Sequence, residues 1–403
     1  MAVGNDPLPR LHPVDGVQVA TVSAGVRKAD ELDLVVFSLA PGSEVAAVFT
    51  RNRFRAAPVR TAEAHLAALS PRYWLINTGN ANAGTGEHGE RAVAQNCQAL
   101  ADLTGCQASE VLPFSTGVIG EPLAADRIDA ALPQALEALS DEGWALAADG
   151  IRTTDTRPKG DSMRLPLSGG EVTLTGIAKG SGMIRPDMAT MLAFIASDIR
   201  IPQNRLQALL EAAVAESFNR ITVDGDTSTN DACSLVATGA SGIGLETPED
   251  ERLFARALGQ LCQRLARAIV ADGEGATRLV TVRVAGARTV AEAEQVAFTV
   301  AQSPLVKTAL FAGDPNWGRI LAAVGRAGID DLAVDRVSIA IGDYPIAEAG
   351  ALSPDYDEHK AAARMGADEL TLDIQLGRGD AEASVWTCDL SYDYVRINAE
   401  YRS

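Results

Sequence analysis

The chain has 403 residues and a formal net charge of −18, with 47% hydrophobic and 22% charged side chains. That balance excludes a disordered chain and leaves room for two domains or one large one. The negative charge repels phosphate backbones and anionic lipid surfaces, which argues against nucleic acid and membranes as partners.

Residues 1–15 hold three prolines and read as an irregular lead-in. No basic segment followed by an apolar core precedes the first element, and no apolar run approaches the roughly 18 residues of a membrane helix. Five cysteines lie scattered without CxxC spacing, so they read as reduced thiols in a cytoplasmic protein. The four histidines form no paired set, so no metal site is expected.

Residues 17–22, 34–39 and 45–50 are short β-type runs separated by Gly, Asp and Pro, and they predict three strands. A short helical spacing covers 61–69, and 73–76 is a buried strand that runs into the amide-rich loop 77–84. Strands of α/β folds that end in such loops often carry ligand contacts; a helix cap explains this one equally well. The helix that begins near Glu87 carries Val93, Cys97 and Leu100 on one face and stops at Gly105. After a short strand at 111–112, Thr116 and Gly117 put a hydroxyl and backbone N–H groups together. An oxyanion hole uses that donor set, although Ser-Thr-Gly turns are common. Residues 133–147 predict a helix, and the hydroxyls and carboxylate of 153–156 also suit an Asx-type turn.

The middle of the chain is the least ordinary. Residues 172–175 alternate like a strand, residues 190–196 form a β-rich apolar run, and Gly180, Gly182 and Pro186 lie between them. This tight loop delivers Thr190 to the start of a buried strand. A threonine hydroxyl needs a base to act as a nucleophile. Cleavage of the Ala189–Thr190 bond supplies one, because the freed α-amine, with an ordinary pKa of about 7.7–8.0, takes the hydroxyl proton. Lys179 is the candidate cation to lower that amine further. The competing explanation is a plain strand residue after a turn.

Downstream, residues 206–214 have a helical stripe, and 219–231 form a loop dense in Asn, Asp, Thr and Gly. Asp224, Asp226 and Asp231 lack EF-hand spacing, which favours a structured loop over a metal site. A helix starts at Thr247-Pro248 and stops at Gly273. Glu274 sits between two glycines, where sequence alone points its carboxylate at solvent. A strand at 278–284, a helix opened by the capping box of Thr289 and Glu292 and ended by Pro304, and a strand at 306–311 make a strand-helix-strand unit. A turn at 313–316 precedes a helix from Trp317. Alternation at 370–376 and again around Val385 predicts an antiparallel hairpin. Neither phosphate-loop glycine pattern occurs.

The segment Lys179-Gly-Ser-Gly-Met-Ile-Arg-Pro-Asp-Met-Ala-Thr-Met-Leu192 resembles the self-cleavage signature of the ornithine acetyltransferase family, also called glutamate N-acetyltransferase. Blocks at 77–83, 115–120, 153–156, 224–231, 272–277, 313–319 and 392–399 resemble the same family in order and spacing. Asp187 stands where the family usually has Asn, and Arg27 where it has Lys. The resemblance implies a mixed α/β fold of four layers, α/β/β/α, of the self-cleaving N-terminal-nucleophile type, assembled from two related halves. It implies cleavage between Ala189 and Thr190 into an alpha chain 1–189 and a beta chain 190–403, which associate as a heterotetramer of two alpha and two beta chains.

By the same resemblance, Thr190 is the nucleophile and Thr116 with Gly117 the oxyanion hole. Thr153, Lys179, Thr190, Glu274, Asn398 and Ser403 contact substrate, with Glu274 suited to the side-chain ammonium of ornithine. The implied reaction moves acetyl from N2-acetyl-L-ornithine to L-glutamate through an acetyl-threonine, in the acetyl cycle of arginine biosynthesis. It implies no metal or organic cofactor and leaves acetyl-CoA open as a second donor. Two rivals stand beside it: a related self-cleaving aminopeptidase or amidase, with water as acceptor, and an unprocessed, non-catalytic binding protein of the same fold.

Overall fold

The computed structural model describes residues 3–4, 7–27, 31–185 and 191–400. By its internal contacts it divides into two units, Pro7–Asn219 with Asp226–Ala266, and Met1–Asp6 with Arg220–Gly225 and Arg267–Ser403.

The strands of the first unit are β1 (Val17–Val22), β2 (Leu34–Leu39), β3 (Glu44–Phe49), β4 (Tyr73–Asn80), β5 (Val111–Val118), β6 (Lys159–Leu167), β7 (Gly170–Lys179), β8 (Leu192–Ser197) and β9 (Ala232–Ala237). They form two sheets, ordered β1-β2-β4-β5 and β3-β9-β8-β7-β6. Strand periodicity decides what lies between them. Val35, Phe37, Trp74 and Ile76 of the first sheet share one buried cluster with Ile177, Phe194 and Val236 of the second. Phe37, Trp74, Phe114 and Phe194 meet there with ring centroids 5.0–5.6 Å apart. Each such ring taken out of water contributes about 1.5–3 kcal/mol to the stability of the unit.

The helices here are α1 (Ala57–Ala68), α2 (Gly86–Thr104), α3 (Ala125–Glu137), α4 (Trp144–Gly150), α5 (Gln203–Ala215) and α6 (Pro248–Ala271). The alternate residues of the first sheet, Val22, Leu34, Val36 and Leu75, pack under α2 and α3. On the far side of the second sheet, a Cβ at Gly176 of β7 would touch Leu261 and Leu265 of α6, and α5 lies along β3 and β9. The order is therefore α/β/β/α within this one unit, the layering that the resemblance implies. The helix expected over 133–147 is instead two helices, α3 and α4. Ser140 exchanges backbone hydrogen bonds with Val19 of β1, which takes the intervening turn out of helical register.

The second unit contains β10 (Leu279–Ala287), β11 (Ser338–Ile341), β12 (Tyr344–Glu348), β13 (Ala351–Leu352), β14 (Glu369–Gln375) and β15 (Ala381–Cys388), in the order β13-β12-β11-β14-β10-β15. Its helices are α7 (Val290–Ala301), α8 (Pro304–Ala312), α9 (Trp317–Gly325), α10 (Glu358–Met365) and α11 (Tyr392–Ala399). Val280, Val282 and Val284 of β10 turn one face to α7, α8 and α9. The opposite face is polar: Arg283 ion-pairs with Asp373 on one side and Glu382 on the other.

Two expectations fail in this unit. Residues 306–311 lie in helix α8, not in a strand, because Pro304 fits a first helical turn and a short apolar run suits a buried helix as well as a strand. Nor do β14 and β15 form a hairpin: β10 lies between them, parallel to β14 and antiparallel to β15. Alternation fixes which face a side chain takes and leaves the neighbouring strand unspecified. The capping box at Thr289 holds in part, since its side chain accepts from the Glu292 N–H. Among the described residues no helix is long and apolar enough to cross a membrane.

Candidate active site

In the first unit, β4 and β5 run parallel with Thr78 opposite Thr116 and Gly79 opposite Gly117, after which the register shifts at Asn80. Gly117 has φ +138°, and a Cβ there would lie 2.2 Å from the carbonyl carbon of Gly79. Only glycine fits, so the backbone at the strand ends closes to a distance no side chain permits. The layer beneath is fixed by buried amides. Ser115 Oγ donates to Asn77 Oδ1 at 2.6 Å, and Asn230 Nδ2 donates to the carbonyls of Ala81 at 2.6 Å and Ser115 at 2.9 Å. Thr116 itself is buried.

Lys179 ends β7, and its Nζ donates to Thr116 Oγ1 at 3.2 Å. Two residues expected from sequence to serve the site, 63 positions apart, thus meet directly. The next residue, Gly180, has φ +148° and donates its N–H to Asp155 Oδ1 at 2.7 Å. Asp155 Oδ1 also accepts from Lys159 Nζ at 2.6 Å, and Oδ2 from the N–H of Thr153 at 3.1 Å. Burial pushes the Asp155 carboxyl up, but the ammonium charges of Lys159 and then Lys179, with the Gly180 hydrogen bond, outweigh it and hold the group below the usual carboxylate range. Beside this, Thr154 Oγ1 and Ser181 Oγ lie 2.7 Å apart. Thr153 therefore belongs to a turn laced to the strand end that carries Lys179. Arg27 lies across Gly79 and donates to the Arg152 carbonyl at 3.3 Å.

Ala189, Thr190 and Asp187 lie outside the described residues, as does Ser403. The strands on either side of the 189/190 junction are neighbours: β7 and β8 pair antiparallel, with Lys179 opposite Leu192.

The second unit holds the other pair. Glu274 is buried, which corrects the solvent-facing placement that sequence alone favoured. Its Oε2 accepts from Asn398 Nδ2 at 2.8 Å. The turn around it is built to receive α11. Gly275 has φ +70°, and a Cβ there would lie 2.5 Å from the Tyr394 nitrogen, while Ser391 Oγ donates to the Gly275 carbonyl at 2.6 Å. Asp389 anchors the same turn by accepting from Thr277 N at 2.7 Å and Arg278 N at 2.9 Å. Among the described residues no three of His, Cys, Asp or Glu converge as metal ligands.

Sequence reasoning passed over Asn230, Asn77 and Asp155 as individuals. Each lay inside a noticed block, and the usable signal was an Asn or Asp next to Thr within a run of small polar residues, where an amide or carboxylate has unpaired backbone groups to satisfy.

Taken together, two face-to-face sheets between helical layers, with a threonine hydroxyl and an obligatory glycine at the end of β5 meeting a lysine at the end of β7, define an α/β/β/α sandwich with a preorganised polar corner. Over residues 18–403 the sequence matches the ArgJ family model, and the chain belongs to that family. It is 52% identical over 406 residues to the "Arginine biosynthesis bifunctional protein ArgJ" of Pseudomonas syringae pv. tomato, with 100% of both chains covered. The protein of that name from Pseudomonas fluorescens is also 52% identical, again over 100% of both. A solved chain of the ArgJ protein from Bacillus halodurans is 43% identical, with TM-score 0.48, covering 51% of this chain and 96% of that one.

Proposed function

We propose that this chain cleaves itself between Ala189 and Thr190 and then moves acetyl from N2-acetyl-L-ornithine to L-glutamate, in arginine biosynthesis. The observation that carries the proposal is the 3.2 Å contact of Lys179 Nζ with Thr116 Oγ1, beside Gly117, at the end of the strand that leads into the cleavage motif. A hydroxyl, a glycine backbone and an ammonium at one corner suit negative charge developing on a carbonyl oxygen.

In the first half-reaction the Thr190 α-amine takes the hydroxyl proton and Oγ attacks the acetyl carbon. Thr116 and Gly117 hold the oxyanion, the C–N bond to ornithine breaks, and the proton leaves with the ornithine amine. In the second, the glutamate amine attacks the acetyl-threonine ester, the C–O bond breaks, and the proton returns to Thr190 Oγ. Both halves balance without a metal or organic cofactor, and acetyl-CoA enters this scheme only as an alternative acetyl donor. Lys179, Thr153, Glu274, Asn398 and Ser403 contact the substrates, Glu274 accepting the side-chain ammonium of ornithine.

Pairing of β7 with β8 supports continued association of chains 1–189 and 190–403 after the break, since the two contribute adjacent strands. Two such cleaved protomers make the proposed heterotetramer, a mass readable by light scattering. The deciding experiment combines a denaturing gel with an acetyl-transfer assay on wild type and Thr190→Ala. Wild type is expected as two bands that make acetylglutamate, and the variant as one inactive band. Transfer at wild-type rate by an uncut Thr190→Ala chain overturns the proposal. Release of free acetate in place of acetylglutamate would mark the amidase alternative.

A further inference from the structure

Of the residues that frame the corner, Asp155 has no place in the chemistry just described, yet it is among the most completely buried. Its side chain and that of Lys159 are 0% and 1% exposed. A buried ion pair is by itself weak evidence of stabilisation, because an apolar pair of similar volume often serves as well or better. What distinguishes this one is where its remaining bonds go. Oδ1 accepts from Lys159 Nζ and from the N–H of Gly180, and Oδ2 accepts from the N–H of Thr153. Three donors on two oxygens require a carboxylate. An amide of the same shape has one acceptor oxygen, so it can serve Gly180 or Thr153 but not both without setting N–H against N–H.

Both backbone donors belong to the candidate site. Gly180 follows Lys179 directly, and its φ of +148° makes it the corner at which the chain leaves β7. Thr153 is a candidate substrate contact, and its neighbour Thr154 meets Ser181, one residue past that corner. The ammonium of Lys179 also lies near enough to act on the Asp155 charge.

We propose that Asp155 is a positioning residue: its carboxylate ties the Thr153 turn to the Lys179–Gly180 corner and so holds the Lys179 ammonium at Thr116. Its catalytic consequence rests on the acetyl-transfer function proposed above; its structural consequence does not. Lys159 neutralises the carboxylate at Oδ1, the oxygen that also accepts from the Gly180 N–H, which keeps Asp155 ionised in a dry site. The two lysines thus divide the work: Lys159 serves Asp155, and Asp155 serves Lys179.

The test uses the full-length chain with Asp155→Asn alone and the double variant Asp155→Asn with Lys159→Met. The single variant removes the carboxylate that faces the buried Lys159 ammonium and serves as the destabilised control. In the double variant the Lys159 ammonium no longer faces a neutral amide, so its melting temperature is expected above that of the single variant and below that of wild type, by the cost of the one backbone N–H left without its acceptor. Amide-resolved hydrogen exchange is then expected to speed up at Gly180 or Thr153, and kcat for acetyl transfer to fall by about 10²-fold, as a small misplacement of a catalytic group produces, with a smaller rise in KM for acetylornithine from the loosened Thr153 and Lys179 contacts. Unchanged exchange at both amides, or unchanged kcat despite faster exchange, overturns the proposal. Should wild type itself transfer no acetyl group while exchange in the double variant rises, the acetyltransferase function fails and the tie between the two segments stands.

Discussion

Asn398 Nδ2 lies 2.8 Å from Glu274 Oε2, so the last helix is fastened to the turn that follows α6 through the carboxylate expected to receive substrate. A neutral amide at 274 keeps that shape and removes the charge. Glu274→Gln is therefore expected to raise KM for acetylornithine by about 10- to 100-fold, the worth of a charge-assisted hydrogen bond of about 1.5–3 kcal/mol, with a smaller effect on KM for glutamate. Asn398→Ala leaves the charge and loosens its orientation, so its KM effect should be the weaker. Steady-state kinetics with each substrate varied in turn decides the order; equal effects of Glu274→Gln on both substrates would remove its link to the ornithine ammonium.

Thr116 is expected to act only as charge develops on the acetyl oxygen. Thr116→Ala should then lower kcat by about 10²–10³-fold with KM little changed, the usual size for one oxyanion donor. Thr116→Ser restores a hydroxyl and should recover most of that rate. A Ser variant as slow as the Ala variant would assign Thr116 to packing, since serine differs from threonine there by a methyl group alone.

Much of the architecture was legible because burial on one face leaves a period in the sequence. The runs at 17–22 and 34–39 form strands over those same residues, and the glycine at 105 ends α2 in the left-handed conformation. What escaped were relations between distant segments. Nothing in the alternation of 370–376 and 381–388 says that β10 lies between them. Nothing local to Val306 and Leu310 separates a buried helix from a strand. The site divided in the same way: Thr116 and Lys179 were candidates from their own residues and were given roles by resemblance, the pocket role of Glu274 came from resemblance alone, and the supporting Asn230 and Asp155 show their roles only through partners far along the chain.

Gly117 provides a separate test of the corner's geometry. An alanine there places Cβ 2.2 Å from Gly79 C and 2.5 Å from Asn80 N, both backbone atoms that cannot rotate away. The positive φ adds about 1–3 kcal/mol of strain to that collision. Gly117→Ala is expected to lower the melting temperature and to abolish transfer, whereas alanine at Gly42, which has open space around it, loses only the cost of its own φ. Thermal melts of the two variants side by side check this, and equal stability of the pair would contradict the close approach of β4 and β5.

The five cysteines differ sharply in access. Cys97, Cys233, Cys262 and Cys388 are buried, and Cys106 is partly exposed. Burial pushes the Cys97 and Cys262 thiols up to about 12, so neither supplies thiolate near neutrality. A thiol reagent is expected to label Cys106 quickly in the native protein and the rest only on unfolding. Mass spectrometry of peptides after a brief labelling pulse reads this directly; rapid modification of Cys233 or Cys262 would mean that α6 opens from the second sheet.

Asp250 supplies the pH dependence. It stands in the first turn of α6, where its Oδ1 accepts from Ser168 N at 2.8 Å, and its Oδ2 from Ser168 Oγ at 2.6 Å and Thr247 Oγ1 at 2.8 Å. The hydrogen bonds from Ser168, then those from Thr247, outweigh desolvation and push its carboxyl down to about 2. Because that value lies below the unfolded one, the ionised group stabilises the fold fully above about pH 4, and the contribution is lost as pH falls toward about 2. In Asp250→Asn the amide cannot ionise, so the melting temperature should fall below wild type by a constant amount at neutral pH. The gap should narrow steadily from about pH 4 downward, as the wild-type carboxylate takes up its proton. A gap that stays the same from pH 7 to pH 3 would show that the cap acts through shape, with no part played by charge.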